Sequence, residues 1–175
     1  MSLVLGILTQ DNRMILAADK RAIKNGIVND DFTKIFRLRD DLYFGMTGIA
    51  EYGLVVKSKL ELHLNMTVKE IIDFADSIYT PNLFDSAIMI CGRLQNHVGF
   101  IWTKNTENDC TYIETLEGDT QYSILTATNS NLIASRFVKE LKLSNFNCNL
   151  AINNTFKYAS QIDDSISSIY EVFST

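Results

Sequence analysis

Ser2-Leu-Val-Leu-Gly-Ile-Leu-Thr9, then Gln10-Asp-Asn-Arg13, then Met14-Ile-Leu-Ala-Ala-Asp19: how this opening stretch is read decides the fold. Two apolar runs of strand length flank a polar turn, which predicts a β-hairpin. Both runs are apolar at successive positions, as in strands covered on both faces. A sheet buried on both sides needs one packed layer above it and another below. Ser2 adds a chemical reading to the structural one. With Met1 removed, Ser2 carries a hydroxyl and a free α-amine, so one residue supplies nucleophile and proton acceptor together. With Met1 retained, the amine is blocked and the chain is expected to be inert.

Outward from the hairpin, residues 34–38 and 41–47 repeat the strand pattern about a hinge at Arg39-Asp40. Residues 49–64 place Leu54, Val55, Leu60 and Leu64 at roughly helical spacing. Thr67-Val-Lys-Glu70 has the form of a capping box, and the helix it opens carries Ile71, Ile72, Ala75 and Ile78 on one face and stops before Pro81. Strand-rich runs return at 84–91, 98–103, 111–114 and 122–126. Helical patterns follow at 129–141 and, more weakly, at 150–161, and residues 167–174 read as a closing strand. The order is strands, two helices, strands, two helices, strand. It predicts two stacked sheets with a helical layer on each outer side.

Composition narrows the function. At 175 residues and 46% hydrophobic content, residues 1–175 fit one domain with a sizeable core. A net charge of −5 without a basic cluster argues against nucleic acid and against anionic membrane surfaces as partners. No run of about 18 apolar residues could span a bilayer. Asp11, Arg13, Asp19 and Lys20 interrupt any signal-peptide core. Cys91, Cys110 and Cys148 lack CxxC spacing, which argues against disulfides or a zinc site and for a reducing, cytoplasmic setting. His63 and His97 have no ligand-like spacing, so neither metal nor cofactor is expected.

Singly, the candidate residues are unspecific. A lysine at a strand start ordinarily guards an edge or sits in solvent, and an aspartate after an apolar strand is ordinarily a turn residue. Together they form a pattern: Ser2-x3-Gly6, Ala17-Ala-Asp19-x-Arg21, Lys34-Ile-Phe36 and Gly45-Met-Thr-Gly48. This resembles the N-terminal half of proteasome β-type subunits and of the related bacterial ATP-dependent protease. Both are N-terminal nucleophile (Ntn) hydrolases. The resemblance covers essentially the whole chain, most clearly residues 2–50 and 163–172.

It implies an α+β fold, a four-layer αββα sandwich with two stacked, mainly antiparallel sheets, in agreement with the element order. It also implies roles. Ser2 stands where the family has its catalytic threonine. Lys34 matches the lysine that lowers the nucleophile's pKa and assists proton movement, and Asp19 the acid that orients that lysine. Arg21 matches a neighbouring structural arginine, and Gly48 the glycine whose N–H forms the oxyanion hole. Asp164 and Ser167 match residues that hydrogen-bond around the N-terminal amine. Either Thr128 or Ser130 matches a serine that faces the nucleophile.

Ile23 replaces a family threonine, losing its hydroxyl but keeping main-chain contacts to an extended substrate. Ser168 replaces a glycine, and Thr128-Asn129 a Ser-Gly pair. Met46, with Lys20 or Arg21, is expected to line the pocket beside Gly48. The resemblance implies a polypeptide substrate, a homo-oligomeric ring and a separate ATP-dependent unfoldase. Three functions stay open: a serine variant of a threonine-type peptidase, a catalytically silent ring-forming protein, and an amidohydrolase of a small amide.

Overall fold

A computed structural model describes residues 2–79, 86–94, 98–105, 109–114, 119–126 and 129–175. Its first half runs β1 (Leu3–Leu8), β2 (Met14–Asp19), β3 (Ala22–Lys24), β4 (Ile27–Asn29), β5 (Ile35–Arg39), β6 (Leu42–Thr47), α1 (Ala50–Glu61) and α2 (Val68–Ile78). The second half runs β7 (Ala87–Arg93), β8 (Gly99–Lys104), β9 (Cys110–Glu114), β10 (Gln121–Thr126), α3 (Ser130–Leu143), α4 (Cys148–Ile162) and β11 (Tyr170–Ser174).

The opening stretch forms the expected hairpin, with Val4 opposite Ala18 and Leu8 opposite Met14. Thr9 N–H donates to the Arg13 carbonyl at 2.9 Å, and Asn12 takes a left-handed φ of 58°, which asparagine tolerates better than most residues. β10 pairs with the free edge of β1 and β11 with that of β2, giving a four-stranded sheet in the order β10-β1-β2-β11. The second sheet runs β5-β6-β7-β8-β9, and every pairing in both is antiparallel.

Strand alternation explains why β1 is apolar throughout. Leu3, Leu5 and Ile7 pack with Ile133, Phe137 and Phe156 of α3 and α4, whereas Val4 and Leu8 pack with Ile35, Met89 and Ile101 of the other sheet. The outer face of the second sheet, through Phe44, Ile88, Ile90 and Phe100, packs on Val56, Leu60 and Ile71 of α1 and α2. The result is the four-layer αββα sandwich that the element order implied.

Several boundaries differ from expectation. The capping box opens α2 as predicted: Glu70 N–H donates to Thr67 Oγ1 at 3.3 Å, and Thr67 N–H to Glu70 Oε2 at 2.8 Å. Pro81 and Phe84 lie outside the described residues. α4 starts two residues before 150 because the Asn147 side chain accepts from Leu150 N–H at 3.1 Å and caps it there. β11 starts at Tyr170 rather than 167, because local side-chain bonds hold the preceding segment out of the sheet. Asp163 Oδ1 accepts from Ser165 N–H at 2.9 Å, and Ser167 Oγ accepts from Ile169 N–H at 3.0 Å. The hairpin β3–β4 was not expected. It turns on Asn25 and Gly26, with φ of 52° and 78°, the left-handed pair that a tight two-residue hairpin requires.

Candidate functional site

β1 and β2 carry Ser2 and Asp19 to the same end of the first sheet. Ser2 directly precedes β1, and the register Val4–Ala18 sets Leu3 beside Asp19, the last residue of β2. Leu3 N–H donates to Asp19 Oδ1 at 2.7 Å. Lys34, just before β5, reaches across from the second sheet, its Nζ 2.8 Å from Asp19 Oδ2. The main-chain N–H groups of Arg21 and Ser167 also donate to Oδ2, at 3.0 and 3.3 Å. Four donors therefore satisfy a carboxylate that is fully buried, and its lysine partner is 3% exposed. Burial pushes the Lys34 ammonium below the ordinary lysine value, an effect that outweighs the opposing pull of Asp19 and Glu171.

Lys34 is held by its main chain as well. Its carbonyl accepts from Met46 N–H at 3.0 Å, and the N–H groups of Lys34 and Ile35 both donate to Glu171 Oε1, at 3.0 and 3.4 Å. Ser2 is 5% exposed, and what remains open faces a cleft of about 640 Å³. Lys34, Met46 and Gly48 line one side of that cleft, and Ile23 and Ile27 of the β3–β4 hairpin line another. Lys24 Nζ meets Glu51 Oε1 at 2.5 Å, joining the hairpin to the first turn of α1 along the cleft wall. Gly48 follows β6 with φ 84°, a left-handed conformation that suits glycine. The next residue is fixed by Ile49 N–H donating to Ser86 Oγ at 2.9 Å.

Ser2, Asp19, Lys34, Gly48, Met46 and Ile23 are thus brought together. Lys20 and Arg21 are not among the residues that line the cleft, contrary to expectation, because acids that follow β4 draw them elsewhere. Lys20 pairs with Asp31. Arg21 forks Asp30 through Nε and Nη2 at 2.6 and 2.9 Å, and its Nη1 donates to the Asp164 carbonyl at 2.7 Å. Asp164 is exposed, whereas Ser167 is buried against Asp19. Ser130 is the exposed first residue of α3, four positions beyond Thr126, which pairs with Leu3. Thr128 lies outside the described residues.

Glu171, Asp30 and Ser86 were missed in the sequence. Glu171 lies 137 residues from Lys34, and no local pattern marks it. The hairpin wall did carry a signal, Asn25-Gly26 beside Ile23 and Ile27. Among the described residues, no group of three or more His, Cys, Asp or Glu side chains could hold a metal ion, and no helix is long and apolar enough to cross a membrane.

No protein-family model matches the chain, and no curated protein matches it. Solved structures do. HslV from Trypanosoma brucei superposes with a TM-score of 0.76 at 12% identity, over 98% of each chain. BPH from Thiobacillus denitrificans, solved in complex with epoxomicin, superposes with a TM-score of 0.71 at 15% identity, over 98% of this chain and 97% of that one. The likeness is one of fold: the chain has the HslV-like, proteasome-type Ntn hydrolase fold.

Proposed function

Proceeding from that fold, we propose that residues 1–175 form a proteasome-like Ntn hydrolase that cleaves peptide bonds with Ser2 as nucleophile once Met1 is removed. One observation carries the reading: the buried Asp19 carboxylate binds both the Lys34 ammonium and the N–H of the residue that follows Ser2. This fixes a serine that opens onto a cleft beside a lysine whose proton affinity is lowered by burial.

In the proposed cycle, the free α-amine of Ser2, through a water, takes the proton of the Ser2 hydroxyl as Oγ attacks the scissile carbonyl. Lys34 favours the reactive ionisation state, and Asp19 holds Lys34 in place. Gly48 N–H stabilises the tetrahedral oxyanion, a contribution worth about 100–1,000-fold in rate for one such donor. The leaving amine departs with the proton, and water hydrolyses the ester of Ser2. The same reading includes a homo-oligomeric ring, an extended polypeptide along the β3–β4 wall, a separate ATP-dependent unfoldase and a cytoplasmic setting.

The test uses protein from its native source. Intact mass should lack Met1, fluorogenic peptides should be hydrolysed, and Ser2→Ala should abolish the hydrolysis. Epoxomicin, with which BPH was solved in complex, serves as a binding probe, and Ser2→Ala should weaken its binding if it sits in the Ser2 cleft. A population that retains Met1 throughout and cleaves nothing would replace this reading with a silent ring-forming protein. A monomer or dimer that hydrolyses only small amides would replace it with an amidohydrolase.

A further inference from the structure

β5 is an edge strand. Among the described residues it pairs with β6 on one side only, so main-chain N–H groups that β6 does not take need acceptors from elsewhere. At its start they find one carboxylate: Lys34 N–H and Ile35 N–H both donate to Glu171 Oε1. Glu171 sits on β11, which pairs with β2, Tyr170 opposite Asp19 and Glu171 opposite Ala18. Ala18 packs into the core between the two sheets, and cross-strand partners share a face, so Glu171 points the same way, toward β5. Adjacent strands of one sheet thus present two acids to one lysine of the other sheet.

We propose that Glu171 is a positioning residue for Lys34, gripping its main chain from β11 while Asp19 on β2 grips its ammonium. Without Glu171, Lys34 would keep Asp19 at its ammonium and the Met46 N–H at its carbonyl, but its own N–H and that of Ile35 would lose their acceptor. The Glu171 grip steadies Cα from the N–H side and so the direction from which the ammonium reaches Asp19. The grip is charge-assisted, and such bonds are stronger than those between neutral groups. Glu171 also adds negative charge near the ammonium. The charged groups that face Lys34 are Asp19 of β2, Glu171 of β11 and Arg21 beyond β2, with Asp30 on the far side of Arg21. Asp19 and Glu171 favour its protonated form, and Arg21 opposes it.

The importance of this grip for turnover rests on the proposed hydrolase reading, but the grip itself is measurable in the resting protein. Glu171→Gln keeps a carbonyl acceptor and removes the charge, and Glu171→Ala removes both. Lys34 ionisation is followed by NMR of ¹³Cε-labelled lysine, and main-chain protection by amide hydrogen exchange, in the full-length protein. In Glu171→Gln the Lys34 titration should move to lower pH while the Lys34 and Ile35 amides keep most of their protection. In Glu171→Ala those two amides should exchange at least about tenfold faster, with protection elsewhere in β1 and β2 unchanged. In both variants kcat should fall more than KM rises, with Glu171→Gln the milder. An unmoved titration and unchanged amides in Glu171→Gln and Glu171→Ala would overturn the proposal, as would a loss of protection spread evenly over both sheets. If Glu171→Ala does not fold, the direction of the Lys34 titration in Glu171→Gln decides alone. NMR changes as expected in a protein that hydrolyses nothing would leave the grip standing and remove the hydrolase reading instead.

Discussion

Leu3 N–H donates to Asp19 Oδ1 at 2.7 Å, so the residue that follows Ser2 hangs on the same carboxylate that holds Lys34. Asp19 thereby sets the spacing between the candidate nucleophile and the lysine. It does so through one buried group with four donors, which concentrates both stability and alignment in a single side chain.

Asp19→Asn tests that concentration. The amide oxygen can still accept from Leu3, but the NH2 in place of Oδ2 cannot accept from Arg21 and Ser167, and the buried Lys34 ammonium loses the carboxylate bonded to it. Breaking one side of a buried pair costs about 3–5 kcal/mol. Denaturant titration should show a loss in that range, and peptide hydrolysis should vanish at temperatures where the variant remains folded. A loss below about 1 kcal/mol would mean that neither the ion pair nor the N–H bonds to Oδ2 contribute much to stability.

Lys34→Met isolates the other partner. Asp19 keeps three main-chain N–H donors, and methionine fills most of the lysine stem's space, so this variant should lose less stability than Asp19→Asn. The pH dependence of the difference between wild type and Lys34→Met then reports Lys34 itself. Its folded pKa lies below the unfolded value of 10.5, because burial outweighs the pull of Asp19. Between those two values the unfolded chain binds a proton that the folded chain does not, so rising pH favours folding. The stability gap between wild type and variant should grow in favour of wild type across this window. It should shrink as pH falls toward the folded pKa and stay level below it. A gap that moves the opposite way would mean that the ion pair outweighs burial.

Gly48→Ala should separate folding from turnover. A β-carbon at φ 84° costs about 1–2 kcal/mol in the left-handed region, and stability should fall by roughly that amount. Relaxing the backbone to relieve the strain would re-aim the Gly48 N–H. In the proposed mechanism kcat should then fall about 100-fold or more, with KM changed little. Unaltered turnover in a folded variant would take Gly48 out of the oxyanion role.

The layers were legible because β1, β2 and β6 must be apolar on both faces, and Thr67 with Glu70 writes a helix start into four residues. The Asp19–Lys34 pair was legible only through resemblance, since nothing in an isolated lysine at a strand start says that it is buried. Three things escaped. The β3–β4 hairpin is three residues a side and largely exposed, so its runs are too short to show a strand period, although Asn25-Gly26 marks the turn. The turning of Lys20 and Arg21 toward Asp31 and Asp30 depends on where that hairpin returns the chain. Glu171 depends on the meeting of two sheet edges, a long-range relation that no local period encodes.

Gly53→Ala sets two effects of known size against each other. Alanine is favoured over glycine inside a helix by about 1 kcal/mol, and Gly53 lies within α1. But α1 presses on β6 at this point. A β-carbon on Gly53 would lie 2.2 Å from Met46 Sδ and 2.9 Å from Met46 Cβ. The sulfur can swing away. The Met46 Cβ is fixed by its strand, so α1 itself must lift. Overpacking of this kind costs about 1–3 kcal/mol, enough to cancel or exceed the propensity gain. Denaturant titration should show net destabilisation, and because Met46 lines the cleft, KM for peptides should change as well. Replacing Met46 with alanine in the same chain should relieve the clash at the sulfur but not at Cβ, so only part of the stability should return. Net stabilisation by Gly53→Ala would show that α1 is free to lift from β6 and that the cleft wall beside Ser2 is not rigid.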